Sequence, residues 1–565
     1  METFLRVDVG RKTAIKEPVP ETYLKVGGRS LIAKLLLDEV NPACEPLGKH
    51  NKLIIATGLL AGTGLSSSGR ISIGGKSPLT GTIKESNAGG ISANRIARLG
   101  IKAIIIEGFP EDDRWHMLRI TPDGCSFLPA EPYLGMGTYA FCEKILAQYP
   151  GAAVTCIGPA GERLYAAAGI ATIDADGKPG RYSGRGGLGA LMGSKRIRAV
   201  IIEGKGTVPL ADAEKFKTAR KAYTQLLHDA PSSKAYREFG TAAMVAAVNA
   251  LSGLPVNNFS RGRFEGAEAI SAEALNARIQ ERGGEGRTTH ACMPGCVIGC
   301  SNIYAGRDGK AIVSPIEYEN IGLLGSNLGI SDFDVIARLN YLCNDIGLDT
   351  IETGAALGVA MEAGVLAFGD GDGAARILEE ARQGGILGRV IGNGAVVTGR
   401  VFAITNVPVA KGQAMAAYDP RAIKGMGVTY ATSAMGADHT AGPTARAPVD
   451  HSDPKGQAAV SLKMQKLMPV VDCTGLCLFT IGALAPRLDL LLELLNARFG
   501  WDLDPSWFEK MSVQTLKDEY RFNELAGFTR VHHRLPECFT ERPLPELDSV
   551  FDVPAEELDH LMQYE

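Results

Sequence analysis

The 565-residue chain carries 59 lysines and arginines against 63 aspartates and glutamates, a formal net charge of −4, with the charges interspersed along the sequence. That balance leaves no basic footprint for nucleic acid, so a small molecule or a protein is the expected partner. The length exceeds the roughly 250–300 residues at which one core stops growing, so two or three domains are expected; eleven cysteines are too dilute and too odd in number to staple such a chain, and most read as reduced thiols.

The opening "METFLRVDVGRKTAI" alternates apolar and polar residues like a strand and has no basic start, apolar run or small-residue cleavage site. Apolar stretches such as "LCLFTIGALA" from Leu476 reach about half the length of a spanning helix. A cytoplasmic protein with no membrane partner is therefore expected. Strand patterns follow in order: "FLRVDV", "NKLIIATG", "GRISIGG", "KAIIIEGF", "WHMLRIT", "AAVTCIG" and "RAVIIEG", separated by glycine turns. Residues 1–208 thus read as a sheet-rich domain. From Ala211 the period becomes helical, in "ADAEKFKTARKAYTQLLHDA", "DFDVIARLNYLCNDIG" and "RLDLLLELLNARFG". A glycine-rich stretch between Phe368 and Gly394 suggests a break near residue 400, giving helical domains at 209–404 and 405–565. The expected fold class is α+β, and no fixed-period repeat is visible.

Glycine loops follow. "GRGGLGALMG" from Gly184 formally matches G-x-G-x-x-G, with Glu203 at the distance of a ribose-binding acid, but the polar "DADGKPGRYS" stands where a strand should lead in. A nicotinamide site is the minor reading. With Arg181 and Arg185 beside it, the loop suits phosphate, as does "TGLSSSGRISIGGKSPLTGTIKESNAGG" with Arg70, Lys76 and Asn87. Two anion cradles suggest one bulky phosphorylated ligand or two copies of a smaller one.

In "ACMPGCVIGCSN", Cys292, Cys296 and Cys300 are four apart. Zinc and iron–sulfur clusters both take thiolates and both need a fourth ligand, best offered by "VVDCTGLCLF" with Cys473 and Cys477. The apolar spacers, with Pro294, Gly295 and Gly299, favour a buried cluster. Cys44, Cys125, Cys142, Cys156, Cys343 and Cys538 stand alone and read as core thiols.

Ten ordered stretches, among them "GRISIGGKSPLTG", "SNAGG", "GRGGLGALMGSKRIRAV", "EYENIGLLGSNLGI", "AYDPRAIKGMGVTYAT" and "DCTGLCLF", carry a resemblance to the aldehyde ferredoxin oxidoreductase family, the tungsten or molybdenum bis-pterin enzymes. The resemblance implies a sheet-rich first domain cradling two pterins, with two helical domains behind it. It places Arg70 between pterin and cluster. Asn87, Gly89, Arg181, Tyr182, Gly184 and Arg185 would line the pterin phosphates and a bridging magnesium. Cys292, Cys296, Cys300 and Cys477 would hold one [4Fe–4S] cluster. In the family pattern D-x-x-G-L-C, Asp472 and Leu476 belong to the pterin site and Cys477 binds iron. The companion pattern D-x-x-G-L-D falls on "NDIGLD", with Asp349 last and Asn344 in place of the first acid. An amide there still accepts a hydrogen bond but adds no charge.

Two further departures stand out. The first cysteine spacing is C-x-x-x-C where the family has C-x-x-C, which makes Cys292 the least secure ligand. Arg338 and Tyr341 occupy the positions of an E-x-x-H pair that binds a subunit-bridging iron in some members, so any homo-oligomer should form without that metal. Glu319 and His439 match the family's proton-transfer groups, with Glu317 in reserve. The resemblance thus implies oxidation of an aldehyde to a carboxylic acid, with electrons leaving for ferredoxin or a ferredoxin-like small subunit. Reduction of an acid or thioester-like substrate at the same cofactor, or a non-catalytic electron-transfer subunit, are the alternatives.

Overall fold

The computed structural model describes residues 2–561. Twelve strands build two six-stranded sheets in the N-terminal region. The first contains β1 (Thr3–Asp8), β2 (Thr13–Pro18), β3 (Leu53–Thr57), β4 (Ile71–Lys76), β5 (Ile83–Ala88) and β6 (Ile101–Glu107). The second contains β7 (His116–Thr121), β8 (Gly124–Pro129), β9 (Ala153–Cys156), β10 (Ile170–Thr172), β11 (Arg181–Ser183) and β12 (Ile197–Ile202). The spatial orders are β2-β1-β6-β3-β4-β5 and β11-β10-β9-β12-β7-β8. Read from the hairpin edge, these are the same path walked twice. β1 pairs parallel with β6 as β7 does with β12, and every other neighbour is antiparallel.

The expectation of no repeat is therefore corrected at the level of topology. Strand pairing demands only that apolar residues alternate correctly, so two copies keep one path with little shared sequence. Alternation also explains why the central strand reads as an unbroken apolar run. On β6, Ile104 and Ile106 enter a core shared by both sheets, while Ala103 and Ile105 face helix Gly28–Glu39 through Leu31, Leu35 and Leu36. A strand covered on both faces has no polar side to show.

Beyond residue 212 the chain is mainly helical, with one long core running from Ala160 to Leu561. A three-stranded sheet, Arg287–His290, Ser301–Ala305 and Ala311–Val313, interrupts the helices beside the cysteines. No single helix among the described residues is long and apolar enough to cross a membrane. One pair, Gln457–Thr474 and Leu478–Phe499, passes by length and composition only together, across a 113° bend, and contributes to the buried cores.

Two helices matter most for the site because their C-terminal turns dock onto equivalent places in the two sheets. Helix Gln457–Thr474 ends at Gly475 (φ 76°), and helix Phe333–Ile346 at Gly347 (φ 86°). After the first turn, Arg70 N donates to Gly475 O (3.2 Å) and Cys477 N to Ser67 O (2.8 Å), just ahead of β4. After the second, Gly169 N donates to Gly347 O (2.9 Å) and Asp349 N to Ala167 O (2.9 Å), just ahead of β10. Glycines make this approach possible: a Cβ on Gly58 would lie 2.2 Å from Gly475 Cα, and one on Gly158 would lie 2.2 Å from Ile346 O.

Neither clash can be relieved by a rotamer, since backbone is the obstacle. Gly58→Ala should therefore cost about 1–3 kcal/mol, the range of overpacking in a filled interior. The expected result is a lower denaturation midpoint with an unchanged m-value in urea, and a variant as stable as the parent would show that the helix end is not held where described.

Candidate active site

The first helix turn brings Asp472 to a nest of polar groups. Asn87 Nδ2 donates to Asp472 Oδ1 (3.2 Å), and Arg29 Nη1 lies 3.5 Å from Asp472 Oδ2. Arg29 is held in turn by Glu519 through two bonds of 2.7 and 2.8 Å. Arg70 donates through Nε to Asn87 Oδ1 and through Nη2 to Asn87 O (3.0 Å). Glu85, two positions before Asn87 and on the same face of β5, is 5% exposed and its Oε1 has no partner. Burial first, then the neighbouring charge of the other carboxylate, pushes Glu85 well above the usual range; burial also lifts Asp472, against the pull of Arg29 and Arg70. Leu476 is fully buried under the turn.

The second turn builds a parallel arrangement. Asp349 caps helix Thr350–Glu362 by accepting from Ile351 N (2.9 Å) and lies 3.2 Å from Arg185 Nε. The two Nη atoms of Arg185 donate to Ala437 O and Ala414 O. Gly184 leaves open space beside this acid, since a Cβ there would meet nothing nearer than 3.7 Å. The main-chain carbonyl of Asn344 accepts from Thr138 Oγ1 (3.0 Å) and from the Tyr182 hydroxyl. Arg181 is turned toward the cysteine strand: Nη1 donates to Ser301 Oγ (2.7 Å) and Nη2 to Ser314 Oγ (3.1 Å), beside His290 Nδ1 and Asp174, which leaves only Nε free.

The four cysteines assemble from both sides of this frame. Cys477 follows the first helix turn, and Cys292 abuts Gly89, where a Cβ would come within 2.9 Å of its sulfur. Cys296 Sγ lies 3.4 Å from Ser67 Oγ. Burial raises the thiols of Cys292, Cys300 and Cys477, each of which also feels other members of the set, while Arg181 and Arg70 oppose the rise at Cys292 and Arg70 at Cys477. Among the described residues no three His, Cys, Asp or Glu side chains converge closely enough for a single metal ion. Tetrahedral zinc would draw its sulfurs to about 3.8 Å of one another. Four mutually sensed thiols flanked by two arginines at wider spacing fit a bulkier, anionic iron–sulfur cluster.

A second constellation joins the two helical segments. Glu319 Oε2 accepts from Ala417 N (2.9 Å), while Oε1 points to His439 Nε2 at 3.8 Å and has no hydrogen-bond partner. His439 Nδ1 is also buried without a partner. Burial pushes the Glu319 carboxyl up to about 7 and the His439 imidazole down to about 4. Tyr418 closes one side, its ring centroid 6.3 Å from that of His439. Glu317 lies elsewhere in effect: it caps helix Tyr318–Leu324, accepts from Thr241 Oγ1, and is sensed by Cys300 and Cys477. Arg338 pairs with Asp372 (2.7 Å), and Tyr341 stacks on Tyr139 at 4.9 Å.

Several participants escape sequence reasoning. Arg29, Glu85 and Glu519 frame Asp472, and the fully buried Lys84 pairs with Asp438, next to His439. Burial would raise Asp438, but Lys84 and Arg185 more than offset it and hold the carboxylate far below its usual range. Only the glycine pair ahead of Arg29 hints at these contacts, because each partner lies hundreds of residues away.

Comparison with known proteins shows the family. The family model "Aldehyde ferredoxin oxidoreductase, N-terminal domain" matches residues 4–204, and "Aldehyde ferredoxin oxidoreductase, domains 2 & 3" matches residues 217–564. The chain is 32% identical over 575 residues to the tungsten-containing aldehyde ferredoxin oxidoreductase of Pyrococcus furiosus, covering 96% of this chain and 92% of that protein. The enzyme of the same name from Thermococcus kodakarensis is 32% identical over 579 residues with the same coverage. A P. furiosus protein named aliphatic sulfonate oxidoreductase, WOR-like subunit, is 27% identical over 558 residues, 91% of this chain and 84% of that one. The solved active-site complex BamBC of benzoyl coenzyme A reductase shares the fold, with a TM-score of 0.77 and 19% identity over 97% of this chain and 92% of that one. The chain belongs to the aldehyde ferredoxin oxidoreductase family and is an oxidoreductase enzyme with that family's α+β fold.

Proposed function

We propose that the protein oxidises an aldehyde to a carboxylic acid at a tungsten or molybdenum bis-pterin centre, with electrons leaving through one [4Fe–4S] cluster to ferredoxin or a ferredoxin-like small subunit. The observation that carries this reading is the Glu319–His439 pair, two half-buried proton carriers 3.8 Å apart, each with one buried atom that has no partner. In the balanced reaction, R–CHO and water become R–COOH with release of two electrons and two protons. The bound pterin-metal group would supply the two-electron couple. The chain supplies the rest: the Glu319 carboxylate accepts a proton from water or its addition product, and neutral His439 donates a hydrogen bond to the aldehyde oxygen or relays a proton outward.

In this reading the segment 1–208 forms the cradle, 209–404 brings Glu319 and three cysteines, and 405–565 brings His439, Asp472 and Cys477. Arg29, Arg70, Asn87 and Asp472 would hold one pterin, Arg185 and Asp349 would hold the other, and Asn87 and Gly184 lie where their phosphates and a magnesium would be received. Cys292, Cys296, Cys300 and Cys477 would ligate the cluster. The relatives named for aldehyde and ferredoxin support this choice of substrate class and acceptor, while the relative named for aliphatic sulfonates marks how far substrates diverge within similar chains.

Glu319→Gln and His439→Asn should each lower aldehyde turnover by about 10²–10⁴-fold, the usual contribution of general acid–base groups, with metal, pterin and iron content unchanged. Parental turnover in either variant would remove its residue from the mechanism.

The pH profile tests the same pair from another side. A carboxyl titrating at about 7 is increasingly ionised as pH rises, so kcat/KM for oxidation should climb through that region and level off above it. His439 stays neutral well above 4 and adds no limb there. Loss of the limb in Glu319→Gln, against a parental profile that keeps it, is the expected outcome; a flat parental profile between pH 6 and 8 would reject Glu319 as the base.

For the cluster, Cys300→Ala or Cys477→Ala should lower iron per chain and abolish or alter the EPR signal of the dithionite-reduced protein, because thiolate is the donor the cluster requires. Unchanged iron and signal would reject the ligand assignment.

A further inference from the structure

One helix packs against both the cysteine loop, at Val297, and the turn that carries Cys477. The inner face of Ala213–Asp229 buries Phe216, Ala219, Tyr223 and Leu227 in a core that contains Cys473 and Leu476, with Val297 of the cysteine loop packed against it. Tyr223, fully buried, senses the charges of Cys477 and Cys296. The outer face is basic. Lys217, Arg220 and Lys221 line an open hollow of about 690 Å³, with Glu214 at its edge, 3.8 Å from Lys217.

A short path links this face to the sulfurs. Arg220 Nη1 lies 3.7 Å from the Cβ position of Gly64, and the same loop continues to Ser66, whose Oγ accepts from Val297 N (3.1 Å), and to Ser67, 3.4 Å from Cys296 Sγ. The next helix, Pro231–Phe239, adds exposed Lys234 and half-buried Arg237, whose Nη2 donates to Val297 O (2.6 Å). Between Pro294 and Gly295 the cysteine loop itself reaches the surface. Residues 213–239 carry six lysines and arginines against three acids, Glu214, Asp229 and Glu238, in a chain whose net charge is −4. Among the described residues, Arg220, Lys221 and Lys234 make no ion pair.

We propose that the outer faces of helices Ala213–Asp229 and Pro231–Phe239, together with the exposed Pro294–Gly295 tip, form the docking surface for a small acidic iron–sulfur electron carrier. The proposal rests on the reading that electrons leave at the four cysteines, and it adds where the carrier sits and what recognises it. The occupant follows from charge and from position: a positive rim on a negative protein selects an acidic partner, and its adjacency to the thiols is useful only to a partner that takes electrons. The step is a transfer of one electron from the reduced enzyme to the oxidised carrier, with no bond made or broken and no proton moved. A charged rim acts mainly on encounter rate and salt dependence, and its reach is about 30 Å at 0.01 M ionic strength but about 8 Å at 0.15 M.

The test uses purified holoenzyme and an acidic two-cluster ferredoxin as the probe. Binding is measured by titration calorimetry at low and at physiological salt, and electron transfer from the dithionite-reduced, desalted enzyme by stopped flow. The parent should bind with an affinity that weakens as salt rises. The K217E/R220E/K221E variant should bind at least tenfold more weakly at low salt and transfer electrons correspondingly slowly, with benzyl viologen reduction unchanged. K217Q/R220Q/K221Q should shift both readings in the same direction by less, which separates charge from any folding defect. K144E/R376E/R400E, equal in charge change but on other surfaces, should leave the affinity close to parental. Equal affinity in parent and K217E/R220E/K221E, or equal loss in the control triple, would overturn the proposal. Failure of the aldehyde reading shows separately, as absent aldehyde-dependent viologen reduction in a parent that still binds the carrier.

Discussion

The arrangement of the site depends on one steric constraint: two helices end against two sheets with no room for a side chain between the backbones. At Gly58 and Gly475, and again at Gly158 beside Ile346 and Gly347, the chains approach closely enough that a single Cβ would collide with main chain. Each helix then reverses through a left-handed glycine and pins the following residues to the strand edge by backbone hydrogen bonds. Asp472, still on its helix, and Cys477, just past the turn, are thereby fixed relative to each other. A group held by the acid and a group held by the thiol must be neighbours, whatever the substrate.

The same constraint explains the duplication. Both sheets follow one strand order, and each receives a helix end ahead of the equivalent strand, β4 in one and β10 in the other. The two halves are not chemically identical. Asp472 has Arg29 and Asn87 as side-chain partners, whereas Asn344 on the other helix offers its main-chain carbonyl to Thr138 and Tyr182, and the acid of that half is Asp349, bound to Arg185. Shared backbone geometry with divergent side chains would suit a pair of sites for two copies of one ligand in unlike surroundings.

What was legible in the sequence was local. Strands such as "KAIIIEGF" announce themselves by length and apolar content, the helical segments by period, and Cys292, Cys296 and Cys300 by spacing alone. The repeat stayed hidden because β1 and β7 share a pattern of burial and little identity, and the small sheet beside the cysteines lay inside what reads as helical sequence. Long-range partners were out of reach for the same reason that they matter. Glu85 and Arg29 are ordinary residues on a strand and a helix until Asp472 arrives between them, and Cys142 and Cys156, which read singly as core thiols, have sulfurs 3.7 Å apart. Glu319 and His439 were found by family pattern; no feature of composition separates them from a solvated acid and a core imidazole.

Charge accounts for the direction in which the site faces. Burying a cation is costly unless an anion accompanies it, and most of the buried cations here have one: Arg29 with Glu519 and Asp472, Arg185 with Asp349, Lys84 with Asp438. Arg70 makes no ion pair among the described residues; its bonds go to the side-chain and main-chain oxygens of Asn87. It nonetheless feels Cys477 and Cys292 on one side and Asp472 and Glu85 on the other. If the four cysteines carried protons, that guanidinium would be left with only Asp472 and Glu85, two carboxyls that burial pushes toward their neutral forms. Thiolates would supply the missing anion, and since burial raises three of these thiols, they need cationic metal to stay deprotonated. With a cluster held by these cysteines, Arg70 would stand between an anionic group on one side and the Asp472 edge on the other, so the two sites would share one cation.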